Sequence, residues 1–272
     1  MELRPLQHDE EKASWTLVVD TERPALRQDI PLLESLLARW DEWPSVADVL
    51  VWGAWLCIRT GHSPLSRHFY QKLLRHHDDP TARKALARMA LEDGNLPEAD
   101  SHLGTLLKQF PRDGEGWVLR GILGMQQTQF AEAEQAFLTA LAHQGDKRKC
   151  MMGLGMARTG LDESDQAWND FCTVLNEYPD DAEAIHWLLR AGSVRGSWAE
   201  LSKRLQGFVS RNPADLSVRY ALAGVLIRSG RIDAAQQEYQ TLCTLDPSYE
   251  GLKELAQALS TEHTLAEIVP QS

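Results

Sequence analysis

The clearest hydrophobic pattern runs through GWVLRGILGMQQTQFAEAEQAFLTALAHQG, residues 116–145. Trp117 opens a helical spacing, Gly121 follows four positions later, and Ala133, Phe137 and Ala140 continue it beyond a polar break. Apolar positions three and four apart share one face of a helix, so the stretch predicts two amphipathic helices joined by a short turn.

The same spacing recurs along the chain. Residues 80–113 carry Leu86-Ala87, Gly94, Ala99 and Pro111, and residues 148–181 carry Leu154-Gly155, Ala167, Phe171 and Pro179. Residues 182–215 carry Gly196 and Pro213. Residues 216–249 carry Leu222-Ala223, Gly230, Ala235, Tyr239, Leu242 and Pro247. Pro179, Pro213 and Pro247 stand 34 residues apart, and Pro111 stands two such periods before Pro179. One period further back, residues 46–79 place Gly53 and Phe69 in the matching small and large positions, with the turn at Gly61 one residue late.

This 34-residue pattern resembles the tetratricopeptide repeat, a helix–turn–helix unit. In that family small residues at the eighth and twentieth positions let paired helices approach, a large residue at position 24 fills the space between repeats, and a proline near position 32 stops the second helix. The resemblance implies an all-α fold, a right-handed superhelical solenoid of helix pairs. It divides the chain into an N-terminal segment and capping helix (1–45), six repeats (46–249) and a C-terminal capping helix and tail (250–272).

At the ends, PLLESLLARW (31–40) reads as an amphipathic helix with Pro31 near its start, where a missing amide donor costs little. Pro44-Ser45 offers a helix start with Ser45 as cap. GLKELAQALS (251–260) is suited to cover the last apolar surface of a stack. SWTLVV (14–19) is open between an extended strand, a short packed segment and a mobile one. The fifth repeat departs from the pattern: Leu189 and Leu201 occupy positions that are small elsewhere, beside Ala191, Gly192 and Ser193. Looser packing or a changed bend is expected there.

The resemblance also implies a site. Ligands of the family commonly contact positions 2, 5, 9, 12 and 13 of the first helices, which line a concave surface. Here those positions supply Lys84 and Arg88, then Glu115, Val118, Ile122 and Met125, then Lys149, Met152 and Met156, then Glu183, His186 and Arg190, then Tyr220 and Arg228. The expected centre is apolar and adaptable, with basic groups on both sides. The segment CMMGLGMA, Cys150 to Ala157, is then half scaffold and half groove, because methionine adapts to irregular surfaces. A partner peptide or amphipathic helix with acidic flanks would suit such a groove. The carboxylate-clamp variety is disfavoured, since Arg88 stands where the clamp uses asparagine. Trp40, Trp43, Trp52 and Trp55 cluster near the first repeat; they either pack as core, or Trp52 and Trp55 present an aromatic interface.

Composition narrows the picture. The formal net charge of the 272 residues is −11, which disfavours general nucleic-acid or anionic-membrane binding. No stretch is long and apolar enough for a membrane span and the start lacks an apolar leader core, so a cytoplasmic location is expected. Cys57, Cys150, Cys172 and Cys243 are too widely spaced for a zinc pattern and read as free thiols. His76-His77-Asp78-Asp79 reads as a helix-end cap, and Asp162-Glu163-Asp165 as an inter-helix connection without calcium-loop spacing. HExxH, GxSxG and GxxxxGK motifs are absent. The expectation is a noncatalytic protein without metal or cofactor, a scaffold or adaptor for a protein partner, with homo-oligomerisation open. A secretion or folding chaperone and a regulatory subunit of an enzyme are the alternatives.

Overall fold

The computed structural model describes residues 7–9, 14–16, 50, 51, 53–55, 57 and 63–268. The helix expected over 31–40, the cap at Ser45, and Trp40, Trp43 and Trp52 lie outside the described residues. Near the start, β1 (Gln7–Asp9) pairs antiparallel with β2 (Ser14–Thr16), with His8 opposite Trp15. The first half of SWTLVV is therefore a strand, and Leu17–Val19 lie outside the described residues.

The other described elements are helical. Leu50, Val51, Gly53, Ala54, Trp55 and Cys57 have helical backbone. Then follow α1 (Ser63–His76), α2 (Pro80–Glu92), α3 (Leu96–Gln109), α4 (Gly114–Gln126), α5 (Phe130–Ala142) and α6 (Lys147–Gly160). They are succeeded by α7 (Ser164–Glu177), α8 (Ala182–Arg195), α9 (Trp198–Arg211), α10 (Leu216–Arg228), α11 (Ile232–Leu245) and α12 (Leu252–Ile268). Two compact units share this chain, Met1–Leu123 and Gly124–Ser272.

Local chemistry sets the helix starts at nearly constant intervals. Asp79, Asp113, Asp146, Asp181 and Asp215 each accept a hydrogen bond from the amide three residues on, at 2.7–3.1 Å. A carboxylate there satisfies an otherwise orphaned N–H, worth about 1 kcal/mol per helix. The turns inside the pairs repeat as well. Gly94, Thr128, Asp162, Gly196 and Gly230 stand 34 residues apart and all adopt positive φ, between 58° and 73°. His76–Asp79 is the cap expected of it, with Asp78 paired to Arg83 and Asp79 capping α2.

In the first unit, Leu50, Ala54, Cys57, Phe69, Leu73, Ala82 and Leu86 form one buried cluster, and Ala87, Ala90, Ala99, Leu103, Leu106, Leu119 and Leu123 another. A Cβ on Gly53 would come within 2.8 Å of the Phe69 ring, so the predicted small–large partnership is a physical contact.

The second unit holds a single larger cluster from Met152 to Leu259. Small residues are again demanded where rings press in. A Cβ on Gly153 would lie 2.4 Å from the Phe137 ring, and one on Gly155 would lie 2.5 Å from Phe171. Arg158 of α6 ties its neighbours together, bonding Glu134 of α5 at 2.9 Å and Asp170 of α7 at 2.8 Å. The C-terminal helix buries Leu255 and Leu259 against this cluster.

The α8–α9 pair is built differently. Its helices approach each other less closely than those of α6–α7 or α10–α11. Leu201 is fully buried where Ala99, Ala133, Ala167 and Ala235 stand in the other pairs. Trp168 adds bulk at the same level: a Cβ on Gly192 would meet its ring at 2.6 Å and Leu201 at 3.0 Å. Large residues at two small-residue positions hold the helices apart, and their own side chains fill the gap.

Candidate partner-binding surface

The first unit contains an open groove of about 570 Å³ along α2. Thr81, Lys84, Ala85, Arg88, Met89 and Glu92 line one side, and Tyr70 of α1 and Glu115 of α4 complete it. The helical period aligns Thr81, Lys84, Arg88 and Glu92. Lys84, Arg88 and Glu115, which the family's contact positions give, line this concavity, while Tyr70, Met89 and Glu92 were missed as lining residues. Tyr70 and Met89 fall outside the contact positions implied by the family.

Charge in this groove is mixed rather than basic. The Lys84 ammonium sits 3.1 Å from Asp113 and 3.0 Å from Glu115, and Arg88 also pairs with Glu115. Burial alone would depress the Lys84 pKa, but its bonds to the two carboxylates outweigh that and hold it above the ordinary value. At this end the basic groups expected to flank the groove carry counter-charges from the chain itself, Asp113 and Glu115. The two cations differ in availability. The Lys84–Asp113 pair is shielded, with side chains 22% and 16% exposed, whereas Arg88 and Glu115 are 51% and 50% exposed. An exposed pair is worth only about 0–1 kcal/mol and is readily exchanged for a partner's carboxylate.

The apolar centre expected from Val118, Ile122, Met125, Met152 and Met156 is distributed otherwise. Val118 and Met152 are each only 4% exposed and belong to helix packing, so neither presents a contact surface. The periodic reading placed them by register, but neighbouring helices cover these faces. Ile122, of the first unit, is half-buried and packs against a core cluster. Met125 and Met156, of the second unit, are half-buried, Met156 against the large cluster there. Of the segment CMMGLGMA, Cys150 is fully buried, and burial followed by the nearby Asp146 pushes its thiol to about 11. Burial likewise raises Cys57 to about 11. Neither is a thiolate at neutral pH. Among the described residues no group of three or more His, Cys, Asp or Glu side chains is placed to hold a metal ion.

In the second unit His186 and Arg190 are exposed on α8. Arg190 lies over the Trp187 ring at 5.5 Å, and Trp187 stacks on Phe171 at 6.1 Å. Arg228 covers Trp198 at 4.9 Å. These aromatic–cation plates were not anticipated, since Trp187 and Trp198 fall outside the family's contact positions. Val194, at a contact position, is 72% exposed. Tyr220 is engaged by the chain itself: its ring lies 5.7 Å from Tyr249, and a Cβ on Gly251 would touch it at 2.8 Å. Tyr220 is half-buried beside these neighbours. Trp55 is 37% exposed, in the first unit.

The fold is the helical-repeat architecture seen in solved tetratricopeptide-repeat structures. Residues 84–148 match the family model described as tetratricopeptide repeat. Solved structures carry the same fold over most of the chain. PilW, a type IV pilus biogenesis factor, aligns at a TM-score of 0.63 with 16% identity, covering 79% of this chain and 100% of that one. PilF of Pseudomonas aeruginosa aligns at 0.62 with 15% identity, covering 78% and 96%. YrrB, a protein with an unusual peptide-binding site, aligns at 0.59 with 13% identity, covering 69% and 97%. At such identities the likeness concerns the fold. No curated protein sequence matches this one. Among the described residues no helix is long and apolar enough to cross a membrane.

Proposed function

We propose that this protein is a noncatalytic scaffold or adaptor that holds a segment of a partner protein against its first helices. The observation that carries the reading is the groove along α2, where family contact positions, an apolar floor of Ala85 and Met89, and the exchangeable Arg88–Glu115 pair coincide. The peptide-binding site named for YrrB supports it by likeness of fold.

The favoured occupant is an amphipathic peptide. Its apolar residues sit over Met89 and Tyr70, and one carboxylate replaces Glu115 on Arg88. Burying each leucine-sized side chain contributes about 1.5–3 kcal/mol before ordering costs. In the second unit Met156, His186 and Arg190 are the candidate contacts, with the Trp187 plate between them. A chaperone or regulatory-subunit role would use the same surface on a different partner. The cytoplasm is the proposed location.

Selection of peptides from a displayed random library on the full chain tests this. The expected result is an enriched family with apolar residues and an acidic position, binding about tenfold more weakly to folded Arg88→Glu protein. No enrichment, or enriched peptides indifferent to both Arg88→Glu and Met89→Glu, would overturn the proposal.

A further inference from the structure

The α8–α9 region carries a second groove, on the face formed by the second helices α7 and α9, with a volume of about 560 Å³. Its floor is apolar: Leu175, Pro179 and Ile185. Three cations stand along it, Lys203, Arg204 and Arg211, in a chain whose net charge is −11. Among the described residues Lys203 has no ion pair. Arg204 donates to the neutral Asn176 carbonyl oxygen at 2.9 Å. Arg211 is shared between Asp180 and the Pro179 carbonyl, at 2.9 and 2.7 Å. One carboxylate, Glu200, also stands on the rim, 3.5 Å from Arg195, which Asp165 holds more closely at 2.6 Å.

The internal repeat shows that this chemistry is local. Thirty-four residues earlier, Lys203, Arg204 and Arg211 are replaced by Asn169, Asp170 and Glu177; thirty-four later, by Gln237, Glu238 and Leu245. Gly207 departs in the same way, for Thr105, Thr139, Thr173 and Thr241 occupy its position in four of the other second helices and Gln71 in the first. Glycine in a helix interior is about 1 kcal/mol less favourable than alanine. The chain's own packing does not require it, since an added Cβ would meet nothing nearer than Arg211 Nη1 at 3.6 Å. Its effect is to leave the groove floor open to close approach beside three cations.

We infer that this outer groove is a second docking site, for a partner segment that carries closely spaced carboxylates around an apolar residue. The carboxylates meet Lys203 and Arg204, and the apolar side chain lies over Gly207 and Pro179. The site is separate from the α2 groove, so the protein joins two partner segments rather than holding one. A peptide bound here needs no contact with Arg88.

A fluorescently labelled peptide of alternating glutamate pairs and leucine is the probe, with its glutamine counterpart as control, titrated against the full chain at low and physiological salt. The account expects the acidic peptide to bind at least about tenfold more tightly than the control, with the difference shrinking as salt rises. The double variant Lys203→Glu/Arg204→Glu should erase the preference. Gly207→Thr, which fits the helix and installs the residue of the other repeats, should weaken binding while leaving helix content unchanged. The titrations are run in the Arg88→Glu background, which removes the acidic contact of the α2 groove, so a preference still present there and lost with Lys203→Glu/Arg204→Glu belongs to this groove. Equal binding of the two peptides, or indifference to the Lys203/Arg204 double variant in folded protein, would overturn the inference. So would sedimentation showing that a second copy of the chain fills the groove through Lys203 and Arg204.

Discussion

Two neighbouring helix pairs in the second unit solve the same packing problem in opposite ways. In α6–α7, Gly155 and Ala167 are small, the helices close on each other, and the Phe171 ring lies against the Gly155 backbone. In α8–α9, Leu189 and Leu201 replace those small residues, the helices stand apart, and Trp168 and Leu201 fill the opening. The sequence departure led to an expectation of looser packing. The helices are indeed farther apart, yet Leu201, Leu205 and Phe208 are buried at 0–2% exposure, so the interior is filled. Spacing between helices and density of packing are separate quantities, and side-chain volume can trade one against the other. The wider pair is also the one that carries the outer basic groove.

The comparison is broken most severely at Leu201. Leu201→Ala leaves the wide pair without its filler, and a loss of about 2–5 kcal/mol is expected from lost burial and the cavity left behind. Urea unfolding followed by circular dichroism reads it. The reciprocal change, Ala167→Leu, forces the filler into a pair with no gap and should cost about 1–3 kcal/mol. If both substitutions proved neutral, the two pairs would not differ in the way described.

A smaller effect is expected at the helix start that separates the pairs. Asp181 caps α8 and pairs with Arg148. Burial pushes its carboxyl pKa up, but the bond from Arg148 and the Ala184 amide outweigh this and hold it below the ordinary carboxylate range. A depressed folded-state value means the contribution is present above the unfolded pKa, about 3.9, and fades as pH falls through the folded value. Asp181→Ala should therefore cost about 0.5–2 kcal/mol near neutrality, and the gap to wild type should close in strong acid. Urea midpoints measured across that range check the sign.

The smallest expected effect is a gain. Thr128 adopts φ 58°, where three equivalent turns use glycine. A β-branched residue is strained in that region. Thr128→Gly should raise the thermal midpoint slightly, by up to about 1 kcal/mol of stability. The equivalent change at Asp162 should gain less, because aspartate tolerates the left-handed region better than threonine.

Much of the fold was legible because its determinants recur. Gly53 and Phe69, like Gly155 and Phe171, stand at small and large positions that the family resemblance marks, and each pair is in contact. The turn glycines Gly94, Gly196 and Gly230 were legible in the same way, whereas Thr128 and Asp162, which share their positive φ, and the aspartate caps were not, because those residue types do not mark the conformation by themselves. The surface was less legible for a physical reason. Register gives the direction of a side chain and says nothing of what covers it: Val118 and Met152 point as expected and are buried, and Tyr220 is taken by Tyr249 and Gly251. Charge pairing is likewise a tertiary property. Lys84 and Arg88 read as free cations in sequence, and Glu115, 27 residues beyond Arg88, changes what they select.

The central claim is that partner segments are held against the first helices, beginning at the α2 groove. Hydrogen exchange on the full chain, with and without a peptide selected on it, tests this most directly. The account predicts slowed exchange concentrated in α2, residues 80–92, and abolished by Arg88→Glu. Peptide binding that leaves α2 exchange unchanged would contradict it.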